Sequence, residues 1–141
     1  MKNLDDITGN ILDASIKIHK GLGPGLLESV YESVLARDLE RRGFQTVRQK
    51  AIRFEYDGMS FEDGLRVDLL VEDQVIVELK SLEVFLPIHK KELLTYLRLS
   101  GLSVGLLINF GAPALKDGFR RIVNYLQSPL PLRPRTNQPN P

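Results

Sequence analysis

Leu65-Arg66-Val67-Asp68-Leu69-Leu70-Val71, a polar break at Glu72-Asp73-Gln74, and Val75-Ile76-Val77-Glu78-Leu79-Lys80 form the stretch that decides the fold. Both runs have strand length and are rich in β-branched or apolar residues, yet they carry Asp68, Glu78 and Lys80. Side chains alternate across a strand, so Glu78 and Lys80 share one face and Val75, Val77 and Leu79 the other. Whether Asp68 joins them depends on register. Pairing Val71 with Gln74 across a two-residue turn would send Asp68 to the opposite face. Pairing Val71 with Val75 across Glu72-Asp73-Gln74 sets Asp68 opposite Glu78, and a bulge could do the same. An odd-length loop or a bulge is therefore expected. Two facing carboxylates repel unless a proton or a cation separates them. Mg2+ favours a few carboxylates completed by water and phosphate oxygens, so the pattern suggests metal-assisted hydrolysis of a phosphodiester. The plainer reading is a solvated charged edge, but Leu70 and Ile76 share the acidic face.

The chain has 141 residues, 43% hydrophobic and 26% charged, which suits one globular domain with its own core. A net charge of +1 gives no argument for nucleic acid, which must come from local placement. With no Cys, disulfides and thiolate metal sites are excluded, and two His make a structural zinc site a poor expectation. No apolar run reaches the ~18–20 residues of a membrane span. The opening Met1-Lys2-Asn3-Leu4-Asp5-Asp6 lacks the layout of a signal peptide, so cytoplasmic residence and no membrane partner are expected.

Ile7, Ile11, Ala14 and Ile18 recur at helical spacing over roughly Leu4 to Lys20. Gly21-Leu22-Gly23-Pro24-Gly25 breaks that helix; lacking a preceding strand and a following Lys-Ser/Thr, it reads as a turn and not a phosphate loop. A second helix is expected from about Leu26 to Arg42, stopped by Gly43. Phe44 to Tyr56 reads as extended, Asp57-Gly58 as a hairpin turn, and Met59 to Val71 as its return. After the strand around Gln74 to Leu82, Pro87 opens a third helix reaching about Leu99. Ser103 to Phe110 is a nearly continuous apolar run, as in a strand covered on both faces. A short closing helix is expected between Leu115 and Tyr125. Residues 1–127 form the expected domain, and 128–141, holding five of the eight prolines, the expected disordered tail. The order ααβββαβα implies an α/β fold with a mixed sheet flanked by helices.

Asp68 followed by Glu78-Leu79-Lys80 resembles the D…(D/E)xK signature of the PD-(D/E)xK nuclease superfamily. Gly25-Leu26-Leu27-Glu28-Ser29-Val30-Tyr31 matches GxxExxY, the name of a bacterial family placed in that superfamily. The resemblance runs from Ile16 to Asn124 and includes the segments 19–25 and 105–111. It implies a restriction-endonuclease-like αβββαβ core with Glu28, Asp68, Glu78 and Lys80 as catalytic residues. It also implies that Asp68, Glu78 and the Leu79 backbone carbonyl hold Mg2+ or Mn2+. Glu28 has two readings: a first-turn acid favoured by the helix dipole, or a ligand to metal or water. Tyr31 is expected in the core, with its hydroxyl in reach of the site.

On the third helix His89, Glu92 and Tyr96 share a face. His89 and Glu92 are candidates for supporting the site. The family commonly carries Gln where this chain has Glu92, so Glu92 is expected either behind the metal ligands or among them. Arg48, Lys50, Arg53, Lys90, Lys91 and Arg98 are unranked phosphate contacts. The expected partner is nucleic acid, DNA first, and exposed sheet edges leave room for a homodimer. Two alternatives stand beside a DNA nuclease: a non-catalytic binding scaffold of the same shape, and a nuclease acting on RNA.

Overall fold

Asn3, whose side chain accepts the Asp6 amide, caps the first helix, α1 (Leu4–Leu22), and Ile7, Ile11, Ala14 and Ile18 form its buried stripe. The computed structural model describes residues 2–125, so the proline-rich segment expected to form a tail lies outside the described residues. Helix α2 (Glu28–Arg41) follows, then strands β1 (Thr46–Tyr56), β2 (Met59–Val71) and β3 (Val75–Lys80). Helix α3 (Pro87–Ser100) ends at Gly101 in the left-handed conformation and leads to β4 (Val104–Asn109). A 3₁₀ turn (Leu115–Gly118) and strand β5 (Phe119–Val123) complete the described chain.

The five strands form one mixed sheet in the order β1-β2-β3-β4-β5, with only the β3–β4 pair parallel. A parallel pair needs a crossover, and α3 supplies it. Helices α1 and α2 cover one face, where Tyr31, Leu35 and Leu39 meet Leu69, Val71, Val75, Val77 and Ile108. Helix α3 covers the other, placing Leu93 and Leu97 against Val67, Leu70, Ile76 and Leu107. All six residues of β4 are buried, as its apolar run predicts. The fold is restriction-endonuclease-like, with α2, β1–β3, α3 and β4 as the αβββαβ core.

One expected element is corrected. Leu115 to Tyr125 is not a helix but the 3₁₀ turn and β5, which pairs antiparallel with β4 from Ile108↔Phe119 to Val104↔Val123. A buried β4 cannot leave its outer amides and carbonyls unpaired, and Phe119 with Ile122-Val123 suits a strand. The chain turns tightly to get there: a Cβ on Gly118 would lie 2.3 Å from the Asn109 carbonyl oxygen.

β1 and β2 outlast the rest of the sheet. The β2–β3 ladder ends at Leu69↔Val77, whereas β1–β2 pairing continues to Tyr56↔Met59. The six exposed residues Met59 to Gly64 of β2, with their β1 partners, extend as an arm about 20 Å long at the strand rise of ~3.3 Å per residue. Phe54 and Phe61 stack along it at 5.2 Å, and Arg53 bonds Glu55, Glu62 and Ser60. A bulge between Ile52 and Phe54 shifts its register by two.

Candidate functional site

The β2–β3 turn sets the register first. Glu72 and Asp73 take φ values of 54° and 53°, the Gln74 amide bonds the Val71 carbonyl at 3.0 Å, and Val71 pairs with Val75. The loop is thus three residues long, and Asp68 falls opposite Glu78. Main-chain pairing stops just before these two residues, and their side chains take it over. Asp68 Oδ2 accepts the Leu79 amide at 2.8 Å, and Glu78 Oε2 accepts the Asp68 amide at 2.9 Å. Each acid is fixed by the opposite strand, and the two strands fork where they meet.

Both carboxyls are pushed up. Burial raises Glu78 from the ordinary 4.5 to about 8, with the facing Asp68 and then Glu28 adding to it, against the Asp68 amide and Lys80. Burial also raises Asp68, as does Glu32, against the Leu79 amide, Gln49 and Lys80. The Lys80 ammonium therefore acts on both acids. Its backbone carbonyl accepts the Phe110 amide at 2.8 Å, tying this end of β3 to β4. Next along, Asn109 accepts the Leu82 amide (2.8 Å) and donates to the Leu82 carbonyl (2.9 Å).

Glu28 is exposed at the first turn of α2, close enough for its charge to raise Glu78. The loop before it is fastened at both sides. The Tyr31 hydroxyl donates to the Gly23 carbonyl (2.6 Å) and accepts the Leu26 amide (3.1 Å), while Ser81 Oγ donates to the Leu26 carbonyl (2.7 Å). Gly25, at φ 104°, takes a backbone conformation that other residues rarely adopt. Gly25 thus bends the loop, Tyr31 ties it, and Glu28 follows it within charge reach of Glu78. Tyr31 itself is fully buried, stacked on Phe110 at 4.4 Å, with its hydroxyl engaged by the loop.

His89 serves the start of α3, where Nδ1 accepts the Leu86 amide at 3.2 Å and the ring meets Phe85 edge-on. Glu92 is exposed, yet together with Glu78 and Asp68 its charge raises the half-buried Tyr96 hydroxyl, whose largest influence is burial. Tyr96, on α3, thus lies within the field of three acids. Two of the candidate phosphate contacts are already paired: Arg48 with Glu32 at 3.0 Å, and Arg53 with Glu55 and Glu62.

Sequence reasoning did not assign Glu32, Gln49 and Ser81 to this region, nor Tyr96 beyond its helix face. Glu32, only 7% exposed, lies one helical turn after Glu28, a spacing that could have marked it. Gln49 had no such signal. Counting back from the Asp57-Gly58 turn sets Val47 opposite Asp68, and only the bulge brings Gln49 there.

The donor set suits a hard divalent cation: two acids held in mutual repulsion by a buried setting, with the Leu79 amide aimed at β2. The carbonyl of a strand residue lies on the same side as its amide, which turns the Leu79 carbonyl toward the fork. Among the described residues no three His, Asp or Glu side chains gather to hold an ion alone. Water and substrate oxygens would complete the shell, as Mg2+ prefers.

A mixed sheet with acids at a fork beside a lysine defines a nuclease-like architecture. The family model described as the PD-(D/E)XK nuclease superfamily matches residues 5–122, and the chain belongs to that superfamily. No curated protein and no solved structure gives a significant match. No helix among the described residues is long and apolar enough to cross a membrane.

Proposed function

We propose that this chain is a metal-dependent nuclease of the GxxExxY branch that hydrolyses phosphodiester bonds in DNA. The observation that carries the reading is the interlock of Asp68 and Glu78, two partly buried acids on neighbouring strands with Lys80 acting on both. Asp68, Glu78 and the Leu79 carbonyl would hold Mg2+ or Mn2+. Bound there, the ion supplies Lewis acidity toward a phosphoryl oxygen and lowers the pKa of the attacking water. Lys80 offsets negative charge as it develops on the phosphate. Glu28, exposed at the mouth of the site, orients water by accepting a hydrogen bond. Glu92 and Tyr96 border the substrate side from α3.

The test is cleavage of supercoiled and linear DNA by purified protein with Mg2+ or Mn2+. Lys80→Ala and Glu78→Gln are expected to lower the rate at least about 100-fold, the scale of losing a charge-stabilising group. Cleavage confined to RNA would replace the DNA substrate by RNA and keep the chemistry. A folded parent that neither cuts nucleic acid nor binds Mn2+ would leave the scaffold reading in its place.

A further inference from the structure

β1 and β2 break their alternation at one level. Arg48 reaches Glu32 on the α2 side and Leu69 packs in the α1/α2 core, whereas Val67 and partly buried Ile52 and Leu65 join the α3 core. Both strands change face between these positions, β1 at Gln49 and β2 at Asp68. The register does not move: Arg48↔Leu69 and Lys50↔Val67 belong to one unbroken count. Gln49 makes this turn with a φ of 49°. A side chain in that conformation is strained, and glycine would occupy it freely. A residue serving the backbone alone would be glycine here.

What the glutamine adds is its amide. Nε2 donates to Glu32 Oε1 at 2.7 Å and to Asp68 Oδ1 at 3.3 Å, while the main-chain carbonyl of Gln49 accepts Arg66 Nη1 at 2.6 Å. Glu32 is itself anchored by Arg48. With Leu79 holding Oδ2, both oxygens of Asp68 are directed. The residue type matters. Lys or Arg would neutralise the charge that a cation needs, and Glu would repel both acids. An amide carries two N–H donors and no net charge, so it can bridge two carboxylates without discharging either.

We infer that Gln49, braced by buried Glu32, is a positioning residue that aims the Asp68 carboxylate at the divalent cation. The inference rests on the metal-site reading above and adds a residue behind it. Groups behind metal ligands typically change affinity about 10- to 100-fold when removed. The experiment is Mn2+ titration by calorimetry together with thermal melting of the metal-free protein, comparing the parent with Gln49→Gly and Gln49→Met. Gln49→Gly relieves the backbone and is expected to melt at or above the parent temperature while Mn2+ binding weakens at least about tenfold. Gln49→Met keeps the length without the donors and should weaken binding similarly, which covers failure of the glycine variant to fold. Parental Mn2+ affinity in a folded variant would overturn the inference. A parent that binds no Mn2+ would instead overturn the metal site itself, and this role with it.

Discussion

With its carboxyl raised from 4.5 to about 8, Glu78 folds in its protonated form through neutral pH. A group raised on folding stabilises the native state fully below its unfolded pKa and loses that contribution as pH climbs through the folded value. The metal-free protein should therefore lose melting temperature between about pH 5 and pH 8, with Asp68 contributing in the same direction. Glu78→Gln should flatten most of that slope in a pH series of thermal melts. Because metal ligands must be deprotonated, Mg2+ binding at pH 7 should release about one proton. Calorimetry in two buffers of different ionisation enthalpy measures it, and binding without proton release would contradict a protonated Glu78. At this scale the sequence was uneven. Asp68, Glu78 and Lys80 could be placed together because a period of two and a single short turn govern them. Glu32 and Gln49 depend on contacts across 16 to 19 residues and on a left-handed backbone that side-chain patterning does not encode.

Among the elements, α1, α2, α3 and the β2–β3 hairpin were legible because each carries its own period, stop or turn. β5 was not. Five residues with two adjacent arginines have no decisive period, and their strand character comes from the unpaired edge of β4. The loop between α1 and α2 tests how much an element depends on one hydroxyl. Tyr31→Phe removes two hydrogen bonds to that loop and should destabilise the protein by about 1–3 kcal/mol in a urea titration. It should also reduce nuclease rate more than stability alone explains, since that loop leads directly into Glu28 at the start of α2. Next to Phe110, on which Tyr31 stacks, a Cβ at Gly111 would meet the Leu82 carbonyl oxygen at 2.2 Å. Gly111→Ala should therefore lower stability by about 1–3 kcal/mol, the range of overpacking, readable in the same titration.

For the molecule as a whole, core and arm are separable. The arm beyond Ile52 and Leu65 is fastened by its own aromatic stack and by Arg53, and its apolar residues Tyr56 and Met59 are about 60% exposed. Replacing residues 53–64 by a two-residue hairpin turn should leave the melting temperature within a few degrees, because neither core loses a buried side chain. The fork at the arm's root differs. Two of its hydrogen bonds are made by carboxyl groups standing where main-chain groups would meet, so the opening is propped by acids that the solvent would rather keep. Valine at both Asp68 and Glu78 would let the strands zip further, yielding a sturdier and inert molecule. Heat resistance and hydrolysis would then be rival demands on the same few ångströms of backbone.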